Sequence, residues 1–189
     1  MMREVLAPVE SPWPEDVAAA FESYPKRDGY VLKLFRVFAN SLRFLRGKGV
    51  VNLLDRDGPL SLRERELVIL RTCAQRNCEY EWGVHAAAFG AAAALGPEQI
   101  RATRLSPPDA PCWTDAEAVL LRVVDGLCAD GRPDPATLDA FRELWDREQQ
   151  LEILALCGNY HTVSFVANAS ALEPEAFAIA FPGDGRSAC

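Results

Sequence analysis

The stretch that decides the fold is Glu66-Leu67-Val68-Ile69-Leu70-Arg71-Thr72-Cys73-Ala74-Gln75-Arg76-Asn77-Cys78-Glu79-Tyr80-Glu81-Trp82-Gly83-Val84-His85. An apolar run with helical periodicity leads into it, and an alanine-rich run follows it. It holds two of the six cysteines and one of the two histidines of the chain, together with several carboxylates. No other segment gathers so many reactive side chains. The stretch is therefore either a functional site or a polar join between two helices.

Capping signals indicate where the two helices begin and end. Ser61 can cap a helix that starts at Leu62, and Glu64 completes a capping box. The apolar periodicity carries this helix to about Gln75. Arg76-Asn77 predicts a break, because asparagine tolerates the left-handed conformation. A second helix is then predicted from Cys78 to about Ala94.

The rest of the chain is also predicted to be helical. Further helices are expected up to about Ser23 and over about 29–46, 97–104, 114–128, 134–144 and 146–169. No segment combines the alternation and turn signals of paired strands. The connections are predicted to be an extended arm over 1–14, an apolar turn at Val50, Leu53 and Leu54, a loop at 57–59, a proline-rich linker at 106–111 and a loosely ordered tail after Glu173-Pro174. The sequence thus predicts one all-α domain over 1–189 with about seven or eight helices, a core motif at 60–104 and C-terminal helices over 114–172.

Composition limits the classes of function. Apolar residues make up 49% of the chain, as in ordinary globular proteins, and the net charge of −7 argues against a nucleic-acid partner. A local basic cluster is interpreted as a solvated helix face; it comprises Lys33, Arg36, Arg43, Arg46 and Lys48. No apolar run is long enough to span a membrane, and the N-terminus has no signal pattern, so a cytoplasmic protein is expected. In that compartment the irregularly spaced cysteines are expected to be free thiols.

The chemistry of the opening stretch follows from its helical spacing. Cys78, Glu81, Trp82 and His85 lie at i, i+3, i+4 and i+7 and therefore share one helix face. A thiol at a helix N-terminus is expected to have a lowered pKa. Glu66 would reach His85 if the two helices form a hairpin. Cys78, His85 and the carboxylates would then support acid–base or thiol chemistry.

Two other interpretations of the same residues stay open. One is a buried cysteine and a hydrogen-bonded core histidine at a helix junction. The other is a zinc site built from Cys73, Cys78, His85 and a carboxylate, although the Cys-x4-Cys spacing is loose and a fourth ligand is not obvious. On the last helix, Tyr160-His161 is either a pocket wall or a satisfied core polar group. Cys112, Cys128, Cys157 and Cys189 show no ligand spacing. No metal site and no cofactor are predicted.

These motifs resemble the carboxymuconolactone decarboxylase family, whose superfamily includes the alkylhydroperoxidase D proteins. The resemblance rests on Leu62, Glu66, Leu67 and Leu70, then on Cys78-Glu79-Tyr80-Glu81-Trp82 with His85, Ala88, Gly90 and Ile100. A weaker likeness extends to the last helix through Glu152, Tyr160, His161, Val163 and Asn168. The resemblance implies an all-helical alkylhydroperoxidase D-like fold built on an antiparallel helical hairpin. It also implies a homo-oligomer, either a trimer or hexamer or else a dimer.

The resemblance implies a site made of a glutamate, a Cys-x-x-Cys pair and a histidine. The glutamate falls on Glu66, the first cysteine on Cys78 and the histidine on His85, but Glu81 occupies the second cysteine position. The usual two-thiol cycle therefore lacks its partner, unless Cys73 takes that role.

The sequence leaves three functions open, and all of them involve a small molecule. The first is favoured because Cys78 is present: a peroxidase of peroxiredoxin or alkylhydroperoxidase type, in which Cys78 is the single reactive thiol and an external thiol is the reductant. His85 would be the base, Glu66 would orient it, Glu81 would be a second acid–base group, and Tyr80 and Trp82 would line the pocket. The second is an acid–base lyase acting on a lactone acid. The third is a non-catalytic oligomer that binds a small molecule.

Overall fold

A computed structural model of the chain describes residues 7–47 and 58–183. The apolar turn predicted at Val50, Leu53 and Leu54 lies outside these residues, as do Lys48, Asp57 and Cys189. The described part contains nine helices and one two-stranded sheet. In chain order these are α1 Glu15–Phe21, β1 Lys26–Arg27, β2 Tyr30–Val31, α2 Lys33–Phe38, α3 Leu42–Gly47, α4 Leu62–Gln75, α5 Glu79–Phe89, α6 Pro97–Leu105, α7 Asp115–Asp130, α8 Pro135–Leu144 and α9 Arg147–Ala169.

Helix α4 is the centre of the packing. Its described neighbours are α5, α6, α7 and α9, and its residues from Glu66 to Cys73 are all buried. Such a helix is surrounded by others, which explains why its apolar residues are not confined to one stripe. The predicted all-α architecture is confirmed.

Most of the predicted helix starts are found where the capping signals place them. Ser61 and Glu64 form the predicted capping box of α4, and Thr114 and Glu117 form that of α7. Asp146 caps α9 in the same way, with Gln149 completing its box. These caps satisfy backbone N–H groups that the helix itself leaves without acceptors.

The prediction of one helix over about 29–46 and of no strands is wrong. The chain forms a small hairpin in which Lys26 pairs with Val31 and Arg27 with Tyr30, and then two short helices, α2 and α3. The cause is the turn at Asp28-Gly29, where both residues have positive φ angles of 50° and 81°. An Asp-Gly pair with this geometry closes a two-residue hairpin with the twist that the strands require.

The prediction of a loosely ordered tail is also wrong for residues 173–183. This segment has no regular secondary structure, but specific contacts hold it against α5. The Ile179 N–H donates to the Gly83 carbonyl over 3.2 Å, and the Phe181 N–H donates to Glu79 over 2.8 Å. Buried Glu175 accepts hydrogen bonds from Tyr80, Tyr30 and the backbone of Lys33. The tail thereby joins the N-terminal hairpin region to α5.

Candidate active site

The join between α4 and α5 is a tight reversal of the chain. Asn77 has a φ of 50°, which is the predicted left-handed break, and the Cys78 N–H donates to the Cys73 carbonyl over 2.8 Å. Glu66 lies nine residues before the end of α4, and His85 lies in the second half of α5. Because these two side chains touch, α4 and α5 are antiparallel. The predicted helical hairpin therefore brings Glu66 to His85.

His85 is held at both ring nitrogens in a buried environment. Its Nδ1 lies 2.7 Å from Glu66 Oε2, and its Nε2 lies 2.8 Å from the hydroxyl of Tyr160 on α9. Glu66 also accepts from the Arg65 guanidinium through its other oxygen, at 3.0 Å. The arrangement assigns the neutral tautomer: Nδ1–H donates to Glu66, and Nε2 accepts from Tyr160.

The charge of Glu66 governs the protonation of His85. Burial alone lowers the pKa of His85, but the charge and hydrogen bond of Glu66, together with the charge of Glu81, outweigh it, and the net pKa is raised. Burial raises the pKa of Tyr160 well above its ordinary value, so Tyr160 stays protonated. When this imidazole accepts a proton, the negative charge of Glu66 compensates the positive charge of the imidazolium.

Glu81 is the least satisfied group of the site. It is 4% exposed, its Oε2 lies 3.7 Å from His85 Nε2, and its Oε1 has no hydrogen-bond partner. Burial raises the pKa of Glu81 to about 7, with the charges of Glu175 and Glu66 adding to the effect and His85 opposing it. A carboxyl group with this pKa exists in both protonation states near neutral pH.

Cys78 lies at the N-cap of α5 and is completely buried. Burial raises the pKa of its thiol to about 11, and the charge of Glu81 contributes; the backbone amides of Glu81 and Tyr80 lower it by less. The predicted lowering of this pKa at the helix N-terminus is therefore wrong in its net direction. The helix amides are present, but desolvation of the thiolate is the larger effect.

A cavity of about 240 Å³ opens beside Glu81, His85 and Tyr160. The rest of its lining is mostly apolar and comes from the hairpin, α2, α5 and the tail, namely Pro25, Lys26, Arg27, Leu32, Leu34, Phe35, Val84, Ala88, Phe89 and Phe177. A largely apolar pocket with a few converging polar groups is the usual form of a small-molecule site. Cys78 is not part of this lining.

Tyr80 and Trp82 do not line the cavity either. The hydroxyl of Tyr80 donates to Glu175 and anchors the tail. The indole N–H of Trp82 donates to Thr103 over 2.9 Å, and its ring packs against Phe181 at 5.3 Å between centroids. Both aromatic residues instead fix α5 to its neighbours. Their helical spacing placed them near the reactive residues but could not tell which side of α5 faces the cavity.

Tyr160 is the site residue that the sequence indicated most weakly. The resemblance pointed to Tyr160-His161 on the last helix, and the structure separates the two: Tyr160 enters the site, whereas His161 lies beside Cys128, with Nε2 at 3.3 Å from its sulfur. Cys73, Cys78 and His85 do not converge as a metal site. Among the residues that the structure describes, the ligand atoms that do converge belong to Cys128, Cys157 and His161.

The helical hairpin holds a glutamate, a histidine and a buried cysteine near its turn, which is the arrangement that the family resemblance implies. Residues 47–125 match the sequence model of the Carboxymuconolactone decarboxylase family, which confirms the family resemblance. The match includes Glu66, Cys78, Glu81 and His85.

The fold has a solved counterpart. An uncharacterized peroxidase-related protein from Silicibacter sp. TM1040 superposes with a TM-score of 0.76 at 19% sequence identity, over 93% of this chain and 95% of that chain. No curated protein matches this chain in sequence. Of the helices in the described residues, none is long and apolar enough to cross a membrane.

Proposed function

We propose that the protein is an acid–base enzyme that binds a small organic substrate in the cavity and exchanges protons with it through Glu81. The observation that carries this proposal is that Glu81 belongs to the lining of a largely apolar cavity. Its carboxyl group is buried, has a pKa of about 7 and leaves Oε1 without a hydrogen-bond partner. Such a group can both give and accept a proton at neutral pH.

The neighbouring groups support proton transfer. His85 Nε2 lies 3.7 Å from Glu81 and can exchange a proton with it after a small side-chain movement. Glu66 holds the imidazole in place and stabilises its charged form, and Tyr160 supplies a second hydroxyl donor. The roles are those of an acid–base group at Glu81, a relay at His85, an orienting carboxylate at Glu66 and a donor at Tyr160.

The reaction class that best fits is decarboxylation or a related lyase reaction of a lactone acid, as the name of the matched family suggests. The bond between the substrate carbon and its carboxylate breaks, and CO₂ leaves. The electron pair enters the conjugated lactone, and the proton that returns to carbon comes from Glu81. No oxidant or reductant is needed. Arg27 at the cavity wall, whose guanidinium lies 4.0 Å from the centre of the Phe177 ring, supplies positive charge for an acidic substrate.

The test is CO₂ release from carboxymuconolactone by the wild type and by Glu81→Gln. Because positioned acid–base groups contribute about 10²- to 10⁴-fold, we expect a loss of at least about 100-fold in kcat. Glu98→Gln is a matched control on the exposed surface of α6 and should leave the rate unchanged. Equal rates for Glu81→Gln and the wild type would remove Glu81 from the mechanism.

A second candidate is reduction of an organic hydroperoxide by Cys78. It is favoured by the amides of Tyr80 and Glu81 beside the thiol, and by the similarity in fold to the peroxidase-related protein from Silicibacter. The Cys78 thiolate would attack the peroxide oxygen, the O–O bond would break, and Glu81 would protonate the leaving alkoxide. An external thiol would then reduce the sulfenic acid, since a cysteine is absent at position 81.

The lyase and peroxidase functions predict opposite effects of substitutions at Cys78 and Glu81. Consumption of cumene hydroperoxide with dithiothreitol should be abolished by Cys78→Ser if the thiol is reactive, whereas lyase activity should change little. Glu81→Cys restores a Cys-x-x-Cys pair and should increase peroxide consumption while removing lyase activity. If neither substrate is turned over, while either binds with the cavity intact, the third alternative of a non-catalytic binding protein is favoured.

We also propose that the chain assembles as a homo-oligomer, as the family resemblance implies. Exposed apolar side chains along α9 support this proposal: Leu151, Leu154 and Phe165 are 68%, 40% and 59% exposed. Such a stripe on a soluble chain is typical of a contact surface. Sedimentation of the wild type and of Leu151→Lys/Phe165→Lys tests it, and an unchanged mass would contradict it.

A further inference from the structure

A second cluster of reactive side chains lies outside the cavity. It consists of Cys128 in the last turn of α7 and of Cys157 and His161 on α9, and we refer to it as the thiol–imidazole cluster. Its three ligand atoms all lie within 4.8 Å of one another, and His161 Nε2 is 3.3 Å from Cys128 Sγ. Cys157 and His161 are at i and i+4 and so project from one face of α9.

This geometry is close to that of a metal site. A tetrahedral zinc ion with Zn–S distances of about 2.3 Å and Zn–N distances of about 2.0–2.1 Å places its sulfur and nitrogen ligands about 3.5 Å apart. The observed 3.3 Å between Cys128 and His161 is within a few tenths of an ångström of that spacing. The other two separations are at most 4.8 Å, about an ångström above the spacing in such a site, so binding requires these ligand atoms to converge on the ion.

We propose that Cys128, Cys157 and His161 bind one thiophilic divalent cation, of which Zn²⁺ is the representative, with the fourth position open to solvent. Two thiolates and a neutral imidazole are ligands that zinc prefers, and three protein ligands with one open position is a recognised zinc arrangement. Binding releases the thiol protons to solvent and involves no change of oxidation state.

The surroundings of the cluster favour a defined site. Cys128 and Cys157 are 9% and 2% exposed, whereas His161 is half-buried, so an ion can enter from the side of the imidazole. Thr72 Oγ1 lies 3.5 Å from Cys157 Sγ and is a neighbour beyond the ligands themselves. The ring of His161 stacks on Phe165 with 5.9 Å between centroids, which orients the imidazole.

The proposed site is separate from the acid–base site. Tyr160 and His161 are adjacent in sequence but face different neighbours, and none of the three ligands lines the cavity. Arg76 donates to the Cys128 carbonyl over 3.2 Å and brings one positive charge close to the cluster. Two thiolates exceed that charge, so the site still attracts a divalent cation.

The experiment uses the full chain without a polyhistidine tag, reduced with a phosphine and freed of metal with a chelator. Zinc is added, unbound metal is removed by gel filtration, and the retained zinc is measured by mass spectrometry. We expect about one zinc per chain, because the three ligands form one site. Substitution with Co²⁺ should give a thiolate charge-transfer absorption, because two sulfurs bind the ion.

Variants make the assignment specific. His161→Ala and Cys128→Ser should weaken zinc binding by at least about tenfold, in line with the loss of one ligand. Cys112→Ser removes a half-buried thiol outside the cluster and should bind as the wild type does. His161→Ala changes a half-exposed residue, so its fold can be checked by its thermal unfolding even if Cys128→Ser proves unstable.

Three outcomes would overturn the proposal. They are no retained zinc in the wild type, equal retention by His161→Ala, and a Cys128–Cys157 disulfide in protein prepared without reductant that binds no zinc after reduction. Each readout is independent of the enzymatic assays, so a failed lyase or peroxidase assay leaves the metal test unaffected.

Discussion

Two polar clusters meet α9 at neighbouring residues and differ in how completely their groups are paired. In the carboxylate–imidazole cluster, which comprises Glu66, Glu81, His85 and Tyr160, both nitrogens of the histidine have protein partners within 2.8 Å. In the thiol–imidazole cluster, the histidine is half-exposed and its Nε2 faces a sulfur. A fully buried imidazole requires hydrogen-bond partners within the protein, whereas a half-exposed imidazole can bind a ligand from solvent. The carboxylate–imidazole cluster is therefore expected to stabilise the fold. The thiol–imidazole cluster is expected to bind an added metal ion.

The largest change in the free energy of unfolding should come from removing the carboxylate of Glu66. Glu66→Ala removes the buried carboxylate that pairs with the Arg65 guanidinium and accepts from His85, and loss of one partner of a buried ion pair costs about 3–5 kcal/mol. Urea unfolding at neutral pH, with unchanged m-values, measures the change. A cost below about 1 kcal/mol would mean that the cluster is not a buried charged network.

The next effect is a pH dependence of stability that Glu81 causes. Its pKa rises from 4.5 to about 7 on folding, so the native state keeps a proton that the unfolded chain releases. The corresponding stability is present below pH 4.5 and is lost as the pH rises through 7. The loss amounts to at most roughly 3 kcal/mol for this shift.

The difference between the wild type and Glu81→Gln isolates this contribution. The variant should lack the decline between pH 4.5 and 7. The decline from His85 should remain, because the raised pKa of that imidazole acts with the same sign above pH 6.5. Parallel stability curves for the two proteins across that window would contradict the assigned burial of Glu81.

A smaller effect distinguishes two helical glycines, one near each cluster. A Cβ at Gly83 would lie 2.3 Å from the Ile179 carbonyl oxygen, whereas a Cβ at Gly158 would meet nothing within 4 Å. Gly83→Ala should destabilise by about 1–3 kcal/mol and loosen the tail, because the clash is with backbone. Gly158→Ala should stabilise by about 0.5–1 kcal/mol through helix propensity.

Thermal unfolding and limited proteolysis of residues 173–183 test this pair. Faster cleavage of the tail is expected for Gly83→Ala only. If both alanine variants were stabilised, the contact between the tail and α5 would be absent in solution.

The smallest effect should be that of His161→Ala in metal-free protein. A half-exposed side chain with one contact to a thiol and one stacking contact contributes about 1 kcal/mol or less. At the same zinc concentration, the melting temperature of the wild type should rise by more than that of the variant, because the variant binds zinc more weakly. A large loss of stability in the metal-free variant would mean that His161 supports the fold, as His85 does.

The sequence predicted the elements whose signals are local. The capping boxes at Ser61 and Thr114, the left-handed Asn77 and the shared face of Glu81 and His85 all depend on residues within one or two helical turns. The antiparallel hairpin came from the family resemblance, because the residues alone gave it only as the condition under which Glu66 reaches His85. These features needed no knowledge of distant packing.

The remaining features depend on contacts between distant segments or on a balance of opposing effects. Tyr160 sits in an apolar run and becomes a site residue only because α9 packs across His85. Cys157 and His161 have a helical ligand spacing, but Cys128 joins them from another helix. The raised pKa of Cys78 reflects burial that its position at a helix N-terminus does not disclose. The hairpin at Asp28-Gly29 was missed although its turn signal is local, because the flanking residues also fit a helical period.

The lining of the cavity has a consequence for how such a protein can change over time. Glu66, Glu81 and His85 all lie within the segment 47–125 that matches the family, whereas most of the wall comes from residues 25–35, from Tyr160 and from Phe177. Three of the four residues of the carboxylate–imidazole cluster are thus encoded in one stretch of the gene, whereas Tyr160 and most of the residues that shape the cavity are encoded in others. A substitution or a short insertion in the wall segments can alter which molecule fits the cavity while Glu66, Glu81 and His85 stay in place. Exchange of these wall segments between related proteins is then expected to change the preferred ligand of the cavity without any change to these three residues.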